Sequence, residues 1–82
     1  MLRPTAIKVR TTDDYQLIIE FDNQETRIYD IKKILSLKPI MPLQNKSVFN
    51  TAVPNGISVE WTNDIDICPD DLYYGSVPYS AT

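Results

Sequence analysis

Residues 61–73 read WTNDIDICPDDLY. They hold four of the chain's eleven carboxylates, its single Cys and its single Trp. Carboxylates at that density could hold a hard cation. A calcium loop of the helix–loop–helix kind needs oxygens at positions 1, 3 and 5, Gly at 6 and Glu at 12. Counting from Asp64 puts Asp66 at position 3, but Cys68 falls at 5 and Pro69 at 6. The pattern fails where it is most constrained. Paired-carboxylate catalysis needs two acids at a set separation, and no spacing here fixes one. The 82 residues contain no His, so the commonest general base and metal ligand is absent. Ser–His–Asp and Cys–His arrangements are closed to a single chain for the same reason. The two glycines, Gly56 and Gly75, are too far apart to make a phosphate loop. Cys68 stands before a proline and reads as a small buried residue rather than a nucleophile. No catalytic residue, metal ligand or cofactor is expected.

The same stretch has a structural reading. In a strand, Ile65 and Ile67 face one way while Asp64 and Asp66 face the other, as at a solvated edge. Pro69 suits the first position of a helix, where its missing N–H costs nothing. Asp70 and Asp71 then sit in the first turn, where the helix dipole favours negative charge. Leu72, Tyr73 and Tyr74 follow, and Gly75 stands past the end.

These groups need a frame to position them. Thr5 to Arg10 reads as a strand with Ile7 and Val9 on one face, and Thr12-Asp13-Asp14 as a turn. Tyr15 to Asp22 alternates with period two: Tyr15, Leu17, Ile19 and Phe21 face the core, and Gln16, Ile18, Glu20 and Asp22 face away. That suits an antiparallel sheet with one wet face. Residues 22–25 make a hairpin turn, with Asn23 tolerant of the left-handed conformation. Thr26 to Tyr29 returns as a strand. Asp30 is a good N-cap for a short helix from Ile31 to Ser36, with Ile31, Ile34 and Leu35 on one side. Residues 38–47 carry two prolines and read as a loop with about one turn of helix. Phe49 to Val53 is expected as a strand with Phe49, Thr51 and Val53 on one face. Pro54-Asn55-Gly56 is a hairpin signal. Ile57, Val59 and Trp61 then point inward, placing Trp61 under the first helix or against Phe21. Asn63-Asp64 turns into a last strand at Ile65 and Ile67.

The fold class expected is therefore α+β. It is a small single domain, residues 1–75, with a polar tail at 76–82. Five to six short strands in hairpins form a mostly antiparallel sheet, one short helix separates the halves, and a second closes the chain. At 43% hydrophobic and 23% charged, the composition is that of an ordinary globular domain. No apolar run is long enough to span a membrane, and the first ten residues lack a signal-peptide core. A lone Cys makes a reducing, cytoplasmic setting the default.

Charge is unevenly spread. All eight Lys and Arg lie between Arg3 and Lys46, alongside six carboxylates. From Ser47 onward there is no basic residue and there are five acidic ones: Glu60, Asp64, Asp66, Asp70 and Asp71. The second half would repel a phosphate backbone.

Three segments carry a resemblance: LIIEFDNQETRIYDIKKIL, PLQNKSVFNTAV and ISVEWTNDIDICPDDLYY. Together they resemble the small bacterial domain-of-unknown-function family 2442 over about residues 5–74. The closing signature of that family maps onto Trp61, Asn63, Asp66, Pro69, Asp70, Leu72 and Tyr73. The resemblance implies an α+β fold with a mostly antiparallel sheet, and no established activity. It also implies a gene neighbour encoding another small protein, in a pairing that looks like a toxin–antitoxin arrangement. Two departures stand out. The family usually has Gly in the first hairpin turn, where this chain has Asn23-Gln24, and Gly after the closing-motif Asn, where it has Asp64. Both sites are expected to turn at a modest strain cost.

The functional reading is a small non-enzymatic protein-interaction module, an antitoxin-like or regulatory partner of a neighbouring protein, or a homo-oligomer. Its interaction surface would be Glu60, Asp64, Asp66, Asp70, Asp71, Tyr73 and Tyr74, since an acidic face suits a basic partner. One alternative is a metal-dependent or carboxylate-based enzyme or accessory using residues 64–71. Another is weak nucleic-acid binding through Lys32, Lys33, Lys38 and Lys46, which is unlike the rest of the charge pattern.

Overall fold

The computed structural model describes residues 3–62 and 64–79. The fold is α+β, built on two antiparallel sheets. The first sheet holds four strands in the order β1-β2-β3-β7: β1 Ala6–Thr11, β2 Gln16–Phe21, β3 Thr26–Asp30 and β7 Val77–Pro78. The second holds three in the order β4-β5-β6: β4 Val53–Pro54, β5 Val59–Trp61 and β6 Ile65–Asp66. Short helical segments connect and close them. Two are single 3-10 turns, Ile31–Ile34 and Met41–Gln44. The others are the α-helices α1 Lys46–Phe49 and α2 Pro69–Tyr74.

The alternation in β2 places the core. Leu17, Ile19 and Phe21 are buried with Tyr29, Ile31, Leu43, Phe49, Val59, Trp61, Ile65, Ile67 and Leu72 in one cluster. Asp30 caps the first 3-10 turn by accepting from Lys32 N. The turn is tighter than the helix expected to Ser36, and only Ile31 on it is fully buried. Ile18, expected on the wet face, is also buried but lies outside the core cluster. Its cross-strand neighbours explain this. Arg10, Ile18, Ile28 and Val77 fall in register across all four strands, so Ile18 lies between a side chain of β1 and one of β3 on the same face.

Several expectations are corrected. Ile7 is exposed rather than inward, because a β-bulge between Ala6 and Lys8 shifts the alternation and buries Ala6 instead. Residues 49–53 do not form a strand. Asn45 accepts from Ser47 N and starts helix α1, which carries Phe49 into the core, and Val53 is left exposed in β4. Ile57 is exposed and Ser58 buried, because the Asn55 side chain accepts from both Ile57 N and Ser58 N and winds the loop tightly. The hairpin itself forms, with Val53 opposite Glu60 and Gly56 at φ 92°. Ile65–Asp66 is not the last strand. Beyond Gly75, where a polar tail was expected, Ser76 is buried and Val77–Pro78 pair with β3. Arg27 holds that segment: its Nε donates to Ser76 Oγ at 2.7 Å and its Nη2 to Ser76 O at 2.7 Å.

Left-handed backbone falls on Tyr15, Gln24 and Asp64, at φ 58°, 73° and 59°. Tyr15 is bulky for that conformation and must be held by contacts. Its ring packs on Phe49 at 5.3 Å, its hydroxyl donates to Gln44 O, and Lys46 Nζ lies 4.7 Å from the ring centre. In the first hairpin turn the left-handed residue is Gln24, not Asn23; Asn23 instead accepts from Glu25 N at 3.0 Å. A left-handed non-Gly residue costs roughly 1–2 kcal/mol, and Gly repays part of that gain as chain entropy, roughly 0.5–1 kcal/mol. Gln24→Gly is therefore expected to raise stability by about 0.5–1 kcal/mol. The check is urea unfolding, with a higher midpoint at an unchanged slope.

Candidate functional site

The acidic stretch divides between two places. Glu60, on β5, stands directly opposite Asp66, on β6. Val53, on β4, stands opposite Glu60 from the other side. Directly paired residues in an antiparallel sheet point to the same face, with Cβ atoms about 5 Å apart. The outer face of the second sheet is therefore a row of Val53, Glu60 and Asp66, all exposed. Asp64, in the turn between β5 and β6, joins Glu60 and Asp66, without Val53, in lining a shallow groove of about 190 Å³, together with Trp61 and Ile65. Inward-facing Trp61 and Ile65 are themselves a cross-strand pair and anchor the groove's floor in the core.

Among the described residues none of Glu60, Asp64 or Asp66 makes an ion pair. Glu60 accepts from Asn55 Nδ2 at 3.2 Å. Two like charges held directly across a strand pair are destabilising. Asp64 lies in the turn expected of Asn63-Asp64, left-handed and ahead of β6, so it does not share a strand with Asp66. The other turn residue of that expectation, Asn63, lies outside the described residues.

Asp70 and Asp71 are elsewhere, in the first turn of α2. Asp70 is paired with the N-terminal segment, where Arg3 Nε lies 3.1 Å from its carboxylate. Among the described residues no three Asp, Glu or Cys side chains gather closely enough to hold an ion. Cys68, expected to be buried, is exposed as the residue capping α2, since Ile67 before it takes the inward position.

Tyr73 and Tyr74 part company. Tyr74 is exposed, while Tyr73 is half-buried and ties α2 to the first hairpin. Its ring meets Phe21 edge-on at 5.1 Å, the Arg27 guanidinium lies 4.6 Å from its centre, and its hydroxyl donates to Glu25 Oε1. That hydrogen bond pushes the Tyr73 phenol up and, together with one from Asn23, holds the Glu25 carboxyl below its ordinary range. The signs follow from linkage. A depressed carboxylate contributes stability above its unfolded value near pH 4.3, lost as pH falls through the folded value. A raised phenol contributes stability below about pH 10, lost as pH rises through the folded value. Glu25→Gln is expected to flatten both limbs of a melting-temperature profile measured from pH 2 to pH 11.

The lysines of the nucleic-acid alternative are all exposed, and three of them contact groups of the fold. Lys32 Nζ is 2.6 Å from Asp14 and 3.9 Å from Asp30, and the hydrogen bond to Asp14 raises its pKa. Lys33 Nζ donates to Gly75 O at 2.9 Å and lies 4.3 Å above the Tyr29 ring. Lys46 Nζ donates to Asp13 O. Only Lys38 is exposed with no such contact among the described residues.

The family described as "Protein of unknown function (DUF2442)" matches residues 6–78. The chain belongs to this family. No curated protein and no solved structure matches. The match extends past α2 through β7, so the C-terminal strand is part of the family's domain. The two turns expected to depart from the family pattern carry left-handed backbone, at Gln24 and Asp64. No helix of the described residues is long and apolar enough to cross a membrane. Val53, the apolar member of the row, was not among the expected surface residues, because residues 49–53 were expected as a strand that shared one face with Phe49.

Proposed function

We propose that this chain is a small non-enzymatic interaction module. On the outer face of its three-stranded sheet it binds a basic, partly apolar segment of a partner protein. The observation that carries this is the Val53–Glu60–Asp66 row with Asp64 beside it. Its three carboxylates are exposed and lack ion pairs among the described residues, whereas Arg3, Arg27 and Lys32 are paired elsewhere. Like charges placed opposite each other oppose folding, and a bound cation would relieve that repulsion. Val53 offers an apolar contact for the stem of a Lys or Arg side chain. Complementary charge would speed encounter and exclude wrong partners. In its specific form the module is the antitoxin-like or regulatory partner of a neighbouring small protein in a reducing, cytoplasmic setting.

The test is affinity purification from the native host at physiological salt. The baits are the chain itself, a triple variant Glu60→Lys, Asp64→Lys and Asp66→Lys, and a control Lys8→Glu with Arg10→Glu. A partner is expected with the first and third baits and not with the second. Capture of no protein in repeated trials, or capture that survives the triple reversal, overturns the reading.

The same arrangement predicts a trade between stability and binding. Asp66→Lys turns the like pair with Glu60 into an opposite pair. It is expected to stabilise the isolated chain by a few tenths of a kcal/mol, less at high salt, while weakening partner capture. Unfolding at low and high salt checks the first half, and a drop in stability at low salt would contradict it.

A further inference from the structure

We draw no further inference here: the strongest candidate, the apolar row of Ile18, Ile28 and Val77 across the outer face of the four-stranded sheet, is an unpartnered face, and nothing in the structure shows what covers it.

Discussion

Trp61→Ala is expected to destabilise the chain by about 3–5 kcal/mol, through lost transfer energy and the cavity left behind. Trp61 is 4% exposed, within the cluster that joins both sheets. Its indole Nε1 donates to Phe49 O at 2.8 Å, so the ring also fastens β5 to helix α1. Removing it takes from the Phe49 carbonyl its shorter hydrogen bond and leaves only the 3.3 Å one from Ala52 N, which adds a little to the cost. Against a total stability of about 5–10 kcal/mol, such a loss unfolds a large share of the molecules at 37 °C. Trp61→Phe separates the two contributions: it keeps most of the apolar contact and removes the indole donor while Ala52 N still serves the carbonyl, so about 0.5–1.5 kcal/mol is expected. Equilibrium unfolding in urea measures both. The burial also predicts blue-shifted tryptophan emission that does not change on dilution. A red-shifted maximum, or a cost below about 1 kcal/mol for the alanine variant, would place Trp61 at an interface instead.

Gly75→Ala is the second large effect, with an expected loss of about 1–3 kcal/mol from overpacking. The reason is not the one a helix-ending glycine usually suggests. Gly75 has φ −86°, which any residue adopts. A Cβ there would stand 2.6 Å from Asp71 O and 2.9 Å from Tyr29 Cε2, inside contact distance of a backbone atom and a buried ring. Gly56 is the contrast: it has φ 92° and nothing within 4 Å of a built Cβ. There the cost is backbone strain alone. Asn tolerates positive φ better than Ala does. Gly56→Asn is therefore expected to cost less than Gly56→Ala, whereas Gly75→Asn should cost more than Gly75→Ala. Identical rankings at the two positions would refute the close-packing account of Gly75.

Local chemistry made much of the frame legible. The period-two run of β2 announced its own buried face. The Asp30 cap, the Pro54–Gly56 hairpin and the Pro69-Asp70-Asp71 helix start depend on neighbours within a few residues, and all three stand as read. The acidic bias of the second half was also plain, because charge is written in residue types.

Elsewhere, distant partners decided. Phe49 alternates with Thr51 and Val53 as a strand would, yet it sits on a helix. There Phe49 packs against Tyr15, 34 positions earlier, and its carbonyl receives the Trp61 indole, 12 positions later. No local pattern encodes those contacts. A strand as short as Val77–Pro78, containing a residue that cannot donate, has no signature of its own. It exists because Arg27 grips Ser76 across 49 residues of sequence. The candidate site divides the same way. The sequence determined that Glu60, Asp64, Asp66, Asp70 and Asp71 would be acidic and mostly solvated. Only the register of β4, β5 and β6 set Val53, Glu60 and Asp66 side by side, and only the docking of the N-terminal segment withdrew Asp70 into a pair with Arg3. Side-chain type is a property of each residue, whereas opposition across strands depends on which chains the hydrophobic core draws together.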